Sequence, residues 1–481
     1  MNFTSIVFLF FFFPFTLFLY YGARLLGKAH TAIRDTAGKL LLIFFSLLFF
    51  AWADSRLLLW FAAYMLLVYL AGVLLSCTGI QKYCRGIHLL GIVLLVGILF
   101  FYKYYNFTVE LLTQTKDSAF SLQNLTAPAG ISFLTFSAIS YLTDVKRREA
   151  PAGTVLDVLL YLSFFPKFLS GPIVPWKDFA GQLEGRKVSD ETFLYGINRI
   201  MIGFSKKVLL ADTFGQVISD ISLQISGNGI DCLTSWGCAF LYMMQIYYDF
   251  AGYSDIAIGL SALFGFRFQE NFHFPYISQS ITEFWRRWHI SLGAFFRKYI
   301  YIPLGGNRRG FARTLVNLGI VFVITGIWHG AGLNFFWWGV FNGACVILER
   351  CIRGKTFYQK IPAVVKWLLT MLAVLFSWQL FRFGTIKEFT DFLDLMTGAV
   401  TCENITYSWS YFFTWKIRIY LLAAGVGAVV LALPFTEKII QWTNRKKTGL
   451  ILKELVLFAL MAWSVITMVN STYSPFLYFQ Y

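Results

Sequence analysis

The sequence predicts an all-α, polytopic integral membrane protein with about 10–12 transmembrane helices, joined by re-entrant and interfacial segments. Three observations predict it. Hydrophobic residues make up 57% of the chain and charged residues only 14%, at a mean hydropathy of +0.62, far outside the soluble globular range. Apolar stretches recur at about residues 40–53, 57–80, 88–102, 130–143, 154–172, 194–204, 235–266, 314–348, 362–383, 419–435 and 455–470. The net charge of +16 is concentrated between them, as in cytoplasmic loops. Nucleic acid is therefore not implied as a partner, whereas membrane lipid is.

Met1 to Ala23 carries no charge, no basic start and no small-residue cleavage pattern, so it reads as a first spanning helix rather than a signal peptide. With Arg24, Lys28, Arg34 and Lys39 on the cytoplasmic side, the N-terminus lies outside. Alternation then places Lys82 and Arg85, and later Lys146, Arg147 and Arg148, on the same inner side, while the mixed-charge loop from Lys103 to Asp117 falls outside. One membrane domain is expected over 1–481: plainer N-terminal helices over 1–125, a core over 126–350, and C-terminal helices over 351–481. The seven cysteines (77, 84, 232, 238, 345, 351 and 402) form no CxxC pair and read as small buried hydrophobic groups.

Two apolar stretches are too long for one crossing. The run from Thr314 to Leu348 holds no Asp, Glu, Lys or Arg in 35 residues. As one helix it would reach roughly 50 Å, against a hydrocarbon core of about 30 Å. A break is expected, lined by protein or a wet cavity. Gly326, Gly330 and Gly332 supply the place for it, around His329. A lone histidine there is either a hydrogen-bonded packing residue or a functional group, because ionisable side chains are costly inside a membrane. A buried imidazole is expected to be neutral and able to accept a proton at pH 7.

Upstream lies "ITEFWRRWHISLGAFFRKYIYIPLGGNRRG", Ile281 to Gly310. At helical spacing Trp285, Trp288, His289, Leu292 and Phe296 share one face and Arg286, Arg287, Arg297 and Lys298 the other, which predicts a basic amphipathic helix in the interface. From Ile281 to Arg313 there are seven Lys/Arg against one Glu. The stripe reads either as positive-inside topology with attraction to anionic lipid, or as a dock for a phosphorylated ligand. "IPLGGN", Ile302 to Asn307, reads as a turn whose backbone N–H groups could help hold an anion.

In "YYDFAGYSDIAIGLSALFGFRFQENF", Tyr247 to Phe272, Asp249 and Asp255 stand six residues apart. That is about 240° around a helix, so they cannot form a paired-carboxylate or dimetal site. They read as buried anchors for an arginine or a helix end, or as ion-pathway groups of a transporter. There is no HExxH, the five histidines never stand three to five apart, and no GxSxG elbow occurs. A resident metal and a Ser-His-Asp hydrolase are not expected.

The segments "ISFLTFSAISYLTDVKR" (Ile131 to Arg147), "FFPKFLSGPI" (Phe164 to Ile173), "GFSKKVLLAD" (Gly203 to Asp212) and "YYDFAGYSDIAIGLSALFGF" (Tyr247 to Phe266) occur in order. "FPYISQSITEFWRRWHISLGAFFRKYIYIPLGGNRRG" (Phe274 to Gly310), "GIWHGAGLNFFWWG" (Gly326 to Gly339) and the terminal "SPFLYFQY" complete the set. Together they resemble the membrane-bound O-acyltransferase family, in its bacterial branch of alginate O-acetyltransferase-like proteins. The resemblance implies helices around a central funnel in the bacterial cytoplasmic membrane. It implies a cytoplasmic acetyl-CoA donor, no bound cofactor, and an extracytoplasmic SGNH-type partner that passes acetyl to polysaccharide hydroxyls. The family's catalytic histidine matches His329 and a second family histidine matches His289, which would line the donor tunnel. On this reading Arg286, Arg287, Arg297, Lys298, Trp285, Trp288 and Asn307 would hold the donor, and Trp328 and Asn334 would position the reacting carbonyl. D-alanyl transfer to teichoic acid from a carrier-protein thioester is the alternative within the family, and a transporter or flippase the alternative outside it.

Overall fold

The computed structural model describes residues 2–26, 31–113, 127–226, 229–400, 405–433, 435–436, 438 and 446–471. Lys28, His30, Cys402 and the terminal "SPFLYFQY" lie outside the described residues. The regular structure of the described residues is helical, without a strand, and nine of their helices are long and apolar enough to cross a membrane. The stretches at 130–143, 154–172 and 194–204 form shorter helices, and 235–266 remains one continuous helix, Cys232–Leu263.

The chain forms two compact units, residues 1–200 with 256–269, and residues 201–255 with 270–481. The first contains the spans Phe8–Leu25, Ile33–Ala53, Ser55–Ser76 and Gln81–Leu112. Its interior is aromatic: Phe12 meets Phe45 and Phe165 edge to face at 5.7 and 5.4 Å, a geometry that adds to plain area burial. Thr154 and Asp157 form a reciprocal capping box at the start of helix Val155–Ser163, and Lys39 reaches Asp157 at 2.5 Å.

The second unit holds the spans Phe311–His329, Leu333–Ile352, Ala363–Arg382, Trp415–Ala432 and Lys447–Asn470. The overlong run 314–348 divides where its glycines allow. Helix Phe311–His329 ends at His329, Gly330 and Gly332 are extended, and helix Leu333–Ile352 returns alongside. Glycine is required on both sides of this hairpin. A methyl on Gly330 would fall 2.1 Å from the Phe335 ring, and Gly326 and Gly339 bring the two backbones into contact.

Three expectations change here. The single amphipathic helix over Ile281 to Gly310 is two short helices, Ile281–Arg287 and Ile290–Phe296, followed by a π-helical turn Arg297–Tyr301. Tertiary bonds replace the helical ones at the break: the His273 N–H donates to the Arg287 carbonyl at 2.9 Å and the Ile290 N–H to the Asn271 carbonyl at 3.0 Å. The "IPLGGN" segment is the turn it reads as, but the amides of Leu304, Gly305 and Gly306 donate to the carbonyls of Ile300, Ile302 and Tyr301, so these three are not left for an anion. Of the cysteines expected to be buried, Cys238 is, whereas Cys77, Cys232 and Cys351 sit exposed at helix ends.

Candidate active site

Every residue of the candidate site belongs to the second unit. His329 is the last residue of its helix and is half-buried. Its ring meets Trp338 and Phe381 edge-on at 5.1 and 5.2 Å and Trp328 at 4.9 Å. Trp328 in turn lies 6.4 Å from the ring of His289. The two histidines are thus joined through one indole. Asn334, buried in the first turn of the return helix, places its Oδ1 over Gly332.

His289 occupies the break between the two short helices with φ 47°, a left-handed backbone that a non-glycine residue adopts only at a cost. Strain of this kind persists where surrounding structure over-determines it and clusters at functional sites. Here the surroundings are Phe250, edge-on at 4.6 Å, and Asn271, whose Oδ1 lies 3.0 Å from His289 Nδ1. Burial pulls the His289 imidazole down to about 3 from its ordinary 6.5, so the ring is neutral at physiological pH.

A cavity of about 540 Å³ opens beside this break. Trp285, Trp288, His289, Arg286, Arg297 and Asn307 all line it. Arg287 does not: it pairs with Glu283 at 2.9 Å, bonds His273, and faces an adjoining cavity of about 430 Å³. Lys298 lies over the Tyr299 ring at 5.0 Å, outside the lining. Asn307 accepts a hydrogen bond from the Tyr301 hydroxyl, and Asn317 Nδ2 donates to the Gly306 carbonyl at 3.1 Å, which pins the turn.

Sequence reasoning missed Glu349, Arg350 and Arg353, which complete the cavity wall. They end the Leu333–Ile352 span, where charge reads only as a loop signal. Glu349 is buried and accepts from the Thr282 N–H at 2.9 Å, which ties that span to the first turn of helix Ile281–Arg287. The cavity therefore pairs an apolar, aromatic wall with four arginines, Arg286, Arg297, Arg350 and Arg353. Guanidinium groups suit phosphate oxygens, and an apolar wall suits an uncharged arm.

Asp249 and Asp255 are not among the residues that line the cavity. Lys207 Nζ sits 2.7 Å from Asp249 and 2.5 Å from Asp212, and Lys206 Nζ 2.7 Å from Asp255. Burial pulls the Lys207 ammonium down, but Asp249 and Asp212 hold it above its ordinary value, so it stays charged. Both carboxylates thus pair with adjacent lysines rather than with an arginine.

The model of the membrane-bound O-acyltransferase family matches residues 78–378. The chain belongs to this family. It is 37% identical to a probable alginate O-acetylase of Pseudomonas aeruginosa over 90% of this chain and 80% of the relative. It is 36% identical to the same-named protein of Pseudomonas putida over the full length of both. A peptidoglycan O-acetyltransferase of Helicobacter pylori is 30% identical over 76% of this chain and 75% of its own. The protein is accordingly a multi-pass membrane O-acyltransferase, similar to enzymes named for polysaccharide O-acetylation.

Proposed function

We propose that this O-acyltransferase takes acetyl from cytoplasmic acetyl-CoA and delivers it toward hydroxyls of an extracytoplasmic polysaccharide through an SGNH-type partner. The observation that carries this reading is the cavity. Four arginines stand on its wall with His289, and Trp328 connects His289 to His329. The arginines would pair with the donor's phosphates, so that remote binding energy positions the thioester. His329 would act as general base. The acceptor oxygen attacks the thioester carbonyl while His329 takes its proton, the C–S bond breaks, and the departing thiolate collects a proton. Such base catalysis is worth about 10²- to 10⁴-fold. Trp328 and Asn334 are the groups nearest to His329 in the chain that could steady the carbonyl.

The setting is the bacterial cytoplasmic membrane with the N-terminus outside. Four spans precede residue 113, and with that orientation the basic groups near residues 24–39 and 82–85 face the cytoplasm together.

Inverted membrane vesicles test the donor. Supplied with labelled acetyl-CoA and the extracytoplasmic partner, they should pass label to partner or polymer. If acetyl-CoA is not consumed and a carrier-protein thioester is, the donor is wrong and D-alanyl-type transfer replaces it.

A further inference from the structure

The Asn271 side-chain oxygen accepts three hydrogen bonds in one place. The Ser291 N–H lies at 3.2 Å, the Ser291 hydroxyl at 2.9 Å and His289 Nδ1 at 3.0 Å. A backbone N–H can only donate, so the Asn271 atom facing this group is its oxygen, not its nitrogen. An acceptor facing Nδ1 requires the histidine proton to be on Nδ1. Nε2 then carries the lone pair. Asn271 and His289 are almost wholly buried, and the same asparagine takes the Ile290 N–H on its main-chain carbonyl. It therefore holds both the helix start at Ile290 and the ring that precedes it.

From this geometry we infer that Asn271 is a positioning residue for acyl transfer: it fixes His289, a residue on the wall of the donor cavity, as the Nδ1–H tautomer and so leaves the buried Nε2 as the ring's acceptor atom. The inference rests on the reading that this cavity receives the acyl donor. The ring packs against Phe250 and Trp328, which do not titrate at working pH. The titratable groups on the cavity are Arg286, Arg297, Tyr301, Glu349, Arg350 and Arg353.

The test uses the full-length protein with ¹⁵N-labelled histidine in membranes, with the His289 signals identified by their loss in His289→Gln. Wild type should have Nδ1 protonated and Nε2 bare from pH 5 to 8. Asn271→Ala should release the ring into a tautomer mixture. Asn271→Asp keeps an oxygen in place but adds charge beside Nδ1–H, and should give a doubly protonated ring at the acid end. In parallel, Asn271→Asp should gain an acid limb in its rate profile, with transfer falling at least tenfold from pH 8 to 5 relative to wild type. A wild-type proton on Nε2, or His289 signals unmoved in Asn271→Asp, overturns the inference, and Asn271→Asp suffices if the alanine variant does not fold. If the spectra change as expected but donor turnover follows wild type at every pH, the tautomer assignment stands and the positioning role is overturned. If no variant or wild type consumes acetyl-CoA, the donor reading has failed instead.

Discussion

Gly326 and Gly339 face each other across the hairpin that begins at His329, with no room for a side chain between them. A methyl on Gly326 would fall 2.3 Å from the Phe335 carbonyl oxygen, and one on Gly339 would fall 2.5 Å from that of Phe322. Backbone atoms cannot move aside as a flexible side chain can. Gly326→Ala or Gly339→Ala should therefore cost about 1–3 kcal/mol by overpacking, read as a lower unfolding temperature in detergent. Gly319→Ala in the same helix, whose methyl would stand 3.7 Å from Ile347, should cost far less.

The buried lysine gives a second prediction. Removing the Lys207 ammonium takes away the positive charge that Asp249 and Asp212 share. Lys207→Met should destabilise by about 3–5 kcal/mol, the range for an orphaned buried charge. Lys206 is partly exposed, so Lys206→Met should cost less. Adding Asp249→Asn to Lys207→Met should recover part of the loss in a double-mutant cycle.

The cavity arginines make a kinetic prediction. Arg350→Gln and Arg353→Gln should each raise KM for the donor roughly 10- to 100-fold, the worth of one charge-assisted hydrogen bond, with kcat little changed. Lys298→Gln, off the cavity wall, should leave KM near wild type. Steady-state kinetics with acetyl-CoA checks all three.

His289 sets a pH dependence of stability. Its folded value of about 3 lies below the ordinary 6.5, so between these values the unfolded chain binds more protons than the native one. Its contribution is complete above about pH 6.5 and declines as pH falls toward 3. Unfolding temperatures at pH 7 and pH 5 should differ less in His289→Gln than in wild type.

Much of this was legible in residue patterns, for physical reasons. The break after His329 follows from a 35-residue uncharged run that exceeds the membrane, and its position from Gly330 and Gly332. The break at His289 carries no such mark: no proline or glycine stands at Trp288 or His289, and the cause is tertiary, a loop at Asn271 to His273 that takes over the hydrogen bonds. Asn271 was hidden for the same reason, 18 residues from its partner. Six-residue spacing puts Asp249 and Asp255 on different faces of one helix, yet it could not identify Lys206 and Lys207 as their partners, because pairing across helices leaves no local period. Arg350 and Arg353 look like any basic loop until a neighbouring span brings them to the cavity.

On the proposed function, His329 is the base of acyl transfer. The most direct measurement is label transfer from acetyl-CoA in inverted vesicles, with the partner supplied and His329→Ala compared with wild type at equal amounts of folded protein. His329→Ala should lose about 10²- to 10⁴-fold in transfer with donor binding retained. Transfer by His329→Ala at the wild-type rate would contradict it.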